Sequence, residues 1–320
     1  MSDPNKTAAH GRCNLQRMNK LSQAQFLEVE RFLWLSARLL ERARFTRLFR
    51  DGAREPVLWA LRGYQNSDGG FGQAIEPDFR GPISQPLGVD FALRVLDELQ
   101  QPEPAVVQAA LGFLSHVTAA DGGLPNTLPE TVEYPRAPWW EPAPGAPGCL
   151  LPTASILGLL YKWRVEHRWL QPATAFCWSA AEGLLRRAAD SRERLQRLQV
   201  AYEARATLVF LDHAPDRARA ERLAAELGRA LAGAGLIAIE PDPAAEAALP
   251  LDYAAEPGGL AQRWFEPKVL ERHLDAMLEA RAADGGWQVP WLVWTPLAGL
   301  EWRGVLTLER LKTLRAYGRA

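Results

Sequence analysis

A short loop near residue 80 carries the residue types and spacing that best fit acid–base chemistry. In the stretch FGQAIEPDFRGPISQP, Glu76 and Asp78 lie two positions apart, and Arg80 follows them. A second carboxylate raises the pKa of a carboxyl group, whereas a cation lowers it. These neighbours can therefore poise one carboxylic acid for proton transfer. The structural alternative is that both carboxylates cap the following helix or pair with Arg80 to fix the loop.

Asp90 is a further candidate acid because it lies within an apolar helical stretch, PLGVDFALRVLDEL. A buried carboxylate is costly unless it is paired. Asp90 therefore either faces a polar cavity or is bound by a neighbouring helix. From these two regions we predict catalytic roles for Asp78, Glu76 and Asp90, and substrate-binding roles for Arg80 and Gln85.

Two long loops, residues 125–152 and 285–304, hold six of the twelve tryptophans of the chain. Aromatic faces stabilise a carbocation or stack against sugar rings, and the same rings serve equally well as a loop core. Of the adjacent Trp139 and Trp140, we expect at most one to face a cavity while the other packs beneath the loop. The predicted substrate-binding residues of these loops are Tyr134, Trp139, Trp140, Glu141, Trp291, Trp294, Glu301, Trp302 and Arg303.

A proline-rich stretch, residues 239–262, is a possible lid that carries Asp242, Asp252 and Tyr253. The five histidines are scattered without the spacing of metal ligands, so no metal or other cofactor is predicted. No nucleophile elbow or phosphate-cradling glycine loop is present either.

The elements that position these loops are marked by a repeat. Three segments, YQNSDGGFG, TAADGGLPN and RAADGGWQVP, contain Asp-Gly-Gly after a helical pattern. Asp68 and Asp121 are 53 positions apart, and Asp284 follows 163 positions later, close to three such periods. Degenerate copies fit between them, one of them near Gly235. A repeat of this length indicates stacked supersecondary units.

Apolar residues spaced by three and four positions predict helices between these turns, and prolines open many of them. No period-two strand pattern is evident. Some stretches are apolar on most faces and others carry a polar stripe, which indicates inner and outer layers. The sequence therefore predicts an all-α fold, an α/α toroid of about five to six helix pairs. The predicted helices are 24–49, 55–64, 86–99, 104–117, 152–165, 172–188, 194–213, 216–231, 267–282 and 302–317.

The repeats resemble those of the terpenoid cyclase and protein prenyltransferase superfamily. The likeness is carried by Gln65-Asn66-Ser67-Asp68-Gly69-Gly70-Phe71 and Ala283-Asp284-Gly285-Gly286-Trp287. These are similar to the repeats of squalene and hopene cyclases and of prenyltransferase β subunits, and the chain resembles a compact bacterial branch of the superfamily. The resemblance implies an α/α toroid over about residues 22 to 318.

Two departures limit what the resemblance implies about chemistry. The Asp-x-Asp-Asp motif that supplies the acid of class II terpene cyclases is absent from the sequence. Prenyltransferase β subunits bind zinc through an Asp-x-Cys pair, but Cys13, Cys149 and Cys177 have no aspartate two residues before them. Neither set of functional residues can be transferred to this chain.

Composition narrows the partners and the compartment. The net charge is −1 and no basic block stands out, so nucleic acid is a poor candidate partner. No apolar run is long enough for a membrane span. Three widely spaced cysteines fit a reducing cytoplasm. We predict a flexible tail at residues 1–21 and a single domain at 22–320.

Together these features favour an enzyme similar to terpene cyclases, which protonates a hydrophobic polyene or isoprenoid substrate in an aromatic cavity. Paired acids with tryptophan platforms also serve carbohydrate-active α/α barrels, such as glycoside hydrolases or epimerases. A non-catalytic ligand-binding ring is the third alternative.

Overall fold

Helices provide the regular structure of the chain in the computed structural model, which describes residues 19–100, 102–241 and 248–320. Within these ranges only isolated β-bridges occur and no strand forms. The predicted all-α class is confirmed. Most of the predicted flexible tail, residues 1–21, lies outside the described residues, as do Cys13 and Asp242.

Twelve α-helices and two 3-10 helices are present in the described residues. In chain order the α-helices are α1 Gln23–Ser36, α2 Leu39–Phe49, α3 Glu55–Arg62, α4 Pro86–Glu98, α5 Pro104–Val117, α6 Leu150–Lys162, α7 Leu170–Asp190, α8 Arg194–His213, α9 Arg217–Gly233, α10 Pro250–Tyr253, α11 Pro267–Glu279 and α12 Pro296–Ala316. The 3-10 helices are Pro129–Glu133 and Leu260–Trp264.

Local sequence explains where these helices begin. Proline occupies the first turn of α3, α4, α5, α11 and α12, where its missing N–H costs no helical hydrogen bond. Ser22 and Gln25 form a capping box at the start of α1. The hydroxyl of Thr295 accepts the backbone N–H of Ala298 at the start of α12. Each contact satisfies a donor that the first helical turn leaves unpaired.

The prediction of one helix over residues 24–49 is wrong, because the chain breaks between α1 and α2. Ala37 and Arg38 have extended backbone. The Arg38 guanidinium donates to the carbonyls of Ala74 and Ile75, at 2.8 and 2.9 Å, and also to Glu41. Apolar periodicity continues through the break, so only these tertiary contacts reveal it.

The packing contacts between even-numbered helices fall into two groups. Helices α4, α6, α8 and α10 pack against one another in chain order, and α12 packs against α2. The odd-numbered helices lie beside them, and α1 contacts both α2 and α12. The inner character of α6 is evident because residues 152–160 are all buried. The two ends of the described chain therefore meet.

The three Asp-Gly-Gly turns have the same backbone geometry. Their first glycines have φ of +88°, +89° and +95°, which favours glycine over residues with a side chain. A Cβ at these positions would fall within 2.8 Å of a backbone oxygen of an odd-numbered helix, so the turns also need the missing side chain. The pairs are Gly69 with Ala109 of α5, Gly122 with Pro172 of α7, and Gly285 with Glu28 of α1. The third turn thus packs on the first helix.

The aspartate of each turn joins it to the segment near the start of the next even-numbered helix. Every carboxylate accepts the backbone N–H of the glycine two residues later. Asp68 also accepts from the Ser84 hydroxyl, Asp121 from the Gly148 N–H, and Asp284 from Arg303. The repeat therefore positions the loops before α4 and α6 and the first turns of α12.

Across the parts of the chain that are described, no helix combines the length and apolar character needed to cross a membrane.

Candidate active site

Asp78 lies at the centre of a group of tryptophans at the start of the even-numbered helices. One carboxylate oxygen accepts the indole N–H of Trp302 at 2.8 Å, and the other accepts that of Trp139 at 2.9 Å. The Trp294 indole N–H lies close enough to lower the pKa of Asp78 but has no hydrogen-bond partner of its own. Burial nevertheless raises the pKa of Asp78 above its ordinary value. Three segments distant in sequence thus meet at one carboxylate.

Glu76 is the second acid of this site. Its carboxylate accepts the backbone N–H of Asp78 at 2.9 Å. Burial raises the pKa of Glu76 well above its ordinary value, and the negative charge of Asp78 raises it further. The backbone hydrogen bonds and the charge of Arg38 oppose this shift without cancelling it. Glu76 as a whole residue is half-buried.

An aromatic cluster supports the acidic loop from beneath. Phe79 stacks on Trp140, with ring centroids 5.3 Å apart and an 8° interplanar angle, and Tyr134 meets Phe79 edge-on at 6.1 Å. Trp140 is 4 % exposed whereas Trp139 is 39 % exposed. The adjacent tryptophans therefore differ as expected: Trp139 holds Asp78, and Trp140 packs under the loop.

The loop is also fixed by ion pairing. Arg80 forms an ion pair with Glu301, at the first turns of α12. Arg38 holds the carbonyls of Ala74 and Ile75, just before Glu76. The stretch from residue 74 to 80 is thus bound to α2 and α12.

Asp90 is buried, and its partner is on its own helix. Arg94, one turn later in α4, forms an ion pair with it. Burial lowers the pKa of Arg94, but the negative charges of Asp90 and Glu309 outweigh burial, so the pKa of Arg94 is raised. Asp90 does not contact the Asp78 group, so its predicted catalytic role has no geometric support from that site.

Three even-numbered helices carry a narrow accessible stripe on surfaces that are otherwise largely buried. The stripe residues recur at three- and four-residue spacing, so they share one face of each helix. They are Leu87, Phe91, Arg94 and Glu98 on α4, Leu198, Tyr202, Arg205 and Val209 on α8, and Trp302, Leu306, Glu309 and Arg310 on α12. We use the name lumen for this set of twelve accessible residues.

The lumen changes character along its length. Near the starts of α4 and α12 the stripes present Leu87, Phe91, Trp302 and Leu306. One to two turns later they become charged. Arg94, 54 % exposed, and Glu309, 45 % exposed, interact electrostatically across it. The acid pair therefore lies at the aromatic end.

A network of ion pairs joins the helices at the charged end. Arg44 of α2 binds Glu98 of α4 at 2.6 Å and Glu309 of α12 at 2.5 Å. Lys312 binds the same two carboxylates, at 2.6 and 2.8 Å. Burial would raise the pKa of Glu309, but Lys312 and Arg44 lower it to about 2. These charges are mutually satisfied.

Several predicted binding residues lie elsewhere or have structural contacts. Glu141 is exposed, and Arg303 holds the Asp284 turn and stacks on Phe32. Gln85 is buried and accepts the N–H of Leu128 through its side chain. Trp291 meets Trp302 edge-on, with centroids 5.4 Å apart. The residues brought together at the acid pair are Arg80, Trp139, Trp294, Glu301 and Trp302.

Sequence reasoning missed Arg38, which holds the acidic loop, and the polar residues of the lumen. Of the latter, Tyr202, Arg205 and Arg310 were not predicted as site residues. The available signal was a charged or polar residue at every third or fourth position of helices that are otherwise apolar.

Two further concavities were found in the described structure. A crevice beside Glu76, lined by Phe71, Ile75, Gln85 and Trp140 among others, has a volume of about 10 Å³, which is close to the space of one water molecule. An open cleft of about 660 Å³ lies between α6 and α7, lined by Tyr161, His167 and Trp178 among others. It shares no residue with the acid pair.

Within the residues that the structure covers, no three or more side chains of histidine, cysteine, aspartate or glutamate converge to form a metal site. Compared with known families and curated proteins, the chain matches no family model and no curated protein.

Proposed function

We propose that this protein is an acid-catalysing enzyme similar to terpene cyclases, which protonates a hydrophobic polyene or isoprenoid substrate and so starts a carbocation rearrangement. The observation that carries the proposal is the Glu76–Asp78 pair enclosed by tryptophans. Glu76 is the proton donor, and Asp78 is the charged partner that the indoles hold in place.

The protonation states of the pair support this division of roles. General acids need a pKa close to the working pH. The raised pKa of Glu76 keeps its proton at higher pH than an ordinary glutamate would. Burial also raises the pKa of Asp78, but two indole hydrogen bonds favour its charged form and oppose that rise, so Asp78 ionises more readily than Glu76. Neighbouring carboxyls with different environments are a common basis for acid assignments.

The orientation of the tryptophans supports a cationic intermediate. Their N–H edges point to Asp78, which leaves the ring faces of Trp139 and Trp302 partly accessible. An aromatic face attracts a cation through its quadrupole. A carbocation formed beside Glu76 would therefore lie near the electron-rich rings of Trp139 and Trp302.

The proposed architecture is an α/α toroid with α2, α4, α6, α8, α10 and α12 as its inner layer. Three observations support it: the packing of α4, α6, α8 and α10 in chain order, the contact of α12 with α2, and the third Asp-Gly-Gly turn on α1. The accessible stripes of α4, α8 and α12 would then line the central space of the ring.

In the proposed reaction the Glu76 proton moves to an alkene carbon of the substrate, and the positive charge appears on its neighbour. A second double bond attacks that cation and forms a carbon–carbon bond. Loss of a proton from the final cation to the medium regenerates an alkene, and the Glu76 carboxylate takes up a proton from the medium, which restores the acid. The net change is an isomerisation, so no oxidant or reductant is consumed.

The carbohydrate-active alternative is less well supported by this pair. Glycosidases place their two carboxyl groups on opposite sides of the scissile bond. Here the Glu76 carboxylate binds the backbone of Asp78 on the same loop, so both groups would approach a substrate from one side.

The test is incubation of the purified protein with farnesol, geranylgeraniol and squalene, followed by product analysis by gas chromatography and mass spectrometry. We expect a cyclised isomer of at least one substrate. Glu76→Gln removes the proton donor but keeps the side-chain oxygen, so product formation should fall by roughly 100-fold or more.

Glu141→Gln is the matched control because Glu141 is exposed and does not contact the acid pair. It should retain wild-type activity. Equal loss in both variants, or full activity of Glu76→Gln, would contradict the proposal. Cleavage of nitrophenyl glycosides in place of polyene conversion would favour the carbohydrate alternative.

A further inference from the structure

Two arginines on the even-numbered helices lack carboxylate partners. Arg205 of α8 and Arg310 of α12 form no ion pair within 4 Å among the described residues, whereas Arg44, Arg80 and Arg94 all do. Arg205 stacks on the ring of Tyr202, at 4.8 Å from its centroid. The buried Nε of Arg310 has no hydrogen-bond partner. An interior charge without a partner is costly, which indicates that a ligand group supplies one.

A buried hydroxyl at the same place is also unsatisfied. Tyr253, at the end of the short helix α10, is 8 % exposed, and its hydroxyl has no hydrogen-bond partner. Tyr253 lies within electrostatic range of Arg205. Arg310 is also within range of Arg205. Helix α10 packs on α8, and the hydroxyl of Tyr317, just after α12, donates to the carbonyl of Ala254, next to Tyr253, at 2.8 Å. The three unsatisfied polar groups therefore lie on adjoining helices.

The net charge of this cluster indicates the charge of the ligand that it would bind. The Asp252 carboxylate interacts electrostatically with both Arg310 and Tyr253. Tyr253 also interacts electrostatically with Arg205. One of the Asp252 oxygens is already occupied by the N–H of Leu249, at 2.7 Å. Two arginines and one aspartate leave a single net positive charge. This complements a monoanion better than a phosphate, which carries nearly two negative charges.

We propose that Arg205, Arg310 and Tyr253 form a binding site for a carboxylate group of a small-molecule ligand. Arginine donates two parallel N–H groups in a geometry that matches a carboxylate. The Tyr253 hydroxyl donates a third hydrogen bond. Tyr202 positions Arg205 through the stacking contact.

The site lies at a definite distance from the acid pair. Trp302, which binds Asp78, and Arg310 are eight residues apart on α12, and a helix rises 1.5 Å per residue, so the separation along its axis is about 12 Å. Tyr202 interacts electrostatically with Asp78 and Glu76 of the acid pair and with Arg205. An extended isoprenoid acid can therefore place its carboxylate at Arg205 and a distal double bond near Glu76. This assignment of the substrate class rests on the proposed function; the carboxylate site itself does not.

The test is isothermal titration calorimetry of the full chain with farnesoate, the isosteric neutral alcohol farnesol, and farnesyl monophosphate. We expect farnesoate to bind most tightly. Arg205→Gln and Arg310→Gln should each weaken the binding of farnesoate by roughly tenfold or more, because each removes a charged hydrogen-bond donor. The affinity for farnesol should not change.

Tyr253→Phe is the most selective variant because the hydroxyl that it removes has no hydrogen-bond partner among the described residues. It should leave the protein folded yet weaken farnesoate by several-fold. Arg222→Gln, at an exposed arginine of α9, is the matched control and should bind farnesoate like the wild type.

Absence of farnesoate binding would overturn the proposal. So would equal affinity for farnesol, tighter binding of the monophosphate, or unchanged farnesoate affinity in all three site variants. Glu76→Gln should bind farnesoate normally. Farnesoate binding without any polyene product would support this site and refute the proposed function. Polyene turnover without farnesoate binding would support the proposed function and refute this site.

Discussion

At the scale of single residues, the contact between Asp78 and the indole N–H groups of Trp139 and Trp302 decides which predicted side chains belong together. A carboxylate held by two indoles is satisfied without a cation. The neighbouring Glu76 carries the stronger effect of burial. Two carboxyls of one loop therefore differ because of what surrounds them.

The raised pKa of Glu76 predicts a pH-dependent stability. A carboxyl whose pKa is higher in the folded state contributes stability that is fully present below the unfolded pKa, near 4.5. That contribution is lost as the pH rises through the raised folded value. Each unit of difference is worth about 1.4 kcal/mol. We expect Glu76→Gln to increase the free energy of unfolding at pH 7 relative to the wild type, but not at pH 4.

Urea unfolding from pH 4 to pH 8 measures this difference. The charged groups that act on Glu76 are Asp78 and Arg38, and both remain in the variant. Glu141→Gln should follow the wild-type curve at every pH. Parallel curves for Glu76→Gln and the wild type would show that Glu76 is not buried as described.

At the scale of elements, the Asp-Gly-Gly turns connect each helix pair to the next. Their sequence predicts a turn after a helix, but not the helix on which the turn rests. In the structure the first glycine lies against the backbone of an odd-numbered helix. The turn is therefore a packing contact as well as a change of direction.

Two glycine substitutions separate the need for a positive φ from the need for space beside the glycine. Gly145 has φ of +66°, and a Cβ added there would have open space around it. Gly145→Ala should therefore cost only about 1–2 kcal/mol of backbone strain. At Gly285, φ is +95° and a Cβ would lie 2.3 Å from the Glu28 carbonyl oxygen. Gly285→Ala should cost roughly 3 kcal/mol or more.

Chemical denaturation of the two variants beside the wild type measures both costs. Because the Gly285 turn packs on α1, hydrogen exchange should also increase in α1 of Gly285→Ala. Equal costs at the two positions would mean that the close approach to α1 contributes nothing.

At the scale of the whole molecule, the buried ion-pair network joins helices that are far apart in sequence. Arg44 of α2 is 2 % exposed and binds Glu98 of α4 and Glu309 of α12. Removing one partner of a buried ion pair leaves the others uncompensated. This network therefore links α2, α4 and α12 at the charged end of the lumen.

Arg44→Met should lower the free energy of unfolding by about 3–5 kcal/mol. Arg50→Met is the matched control on the same part of the chain, because Arg50 is 42 % exposed and pairs with Glu30. Exposed pairs of this kind contribute about 0–1 kcal/mol. Thermal and urea unfolding of both variants test the prediction, and similar losses in the two would contradict it.

The sequence alone determined the all-α class, most helix boundaries and the repeat. Proline at the first turn, apolar spacing and Asp-Gly-Gly act over a few residues, so they can be seen without a structure. For α5 and α8 the predicted bounds, 104–117 and 194–213, coincide with the helices found. The same local signals identified the loop with Glu76, Asp78 and Arg80.

Only the tertiary structure decided which of these residues meet. The contact of Trp302 with Asp78 joins positions 224 residues apart, and no local pattern records such a pairing. The break at Arg38, the pairing of Asp90 with Arg94 and the position of Arg303 on a turn likewise depend on neighbours brought together by packing. The lumen follows the same rule, because a polar residue on an apolar helix acquires a role only when the facing helices are known.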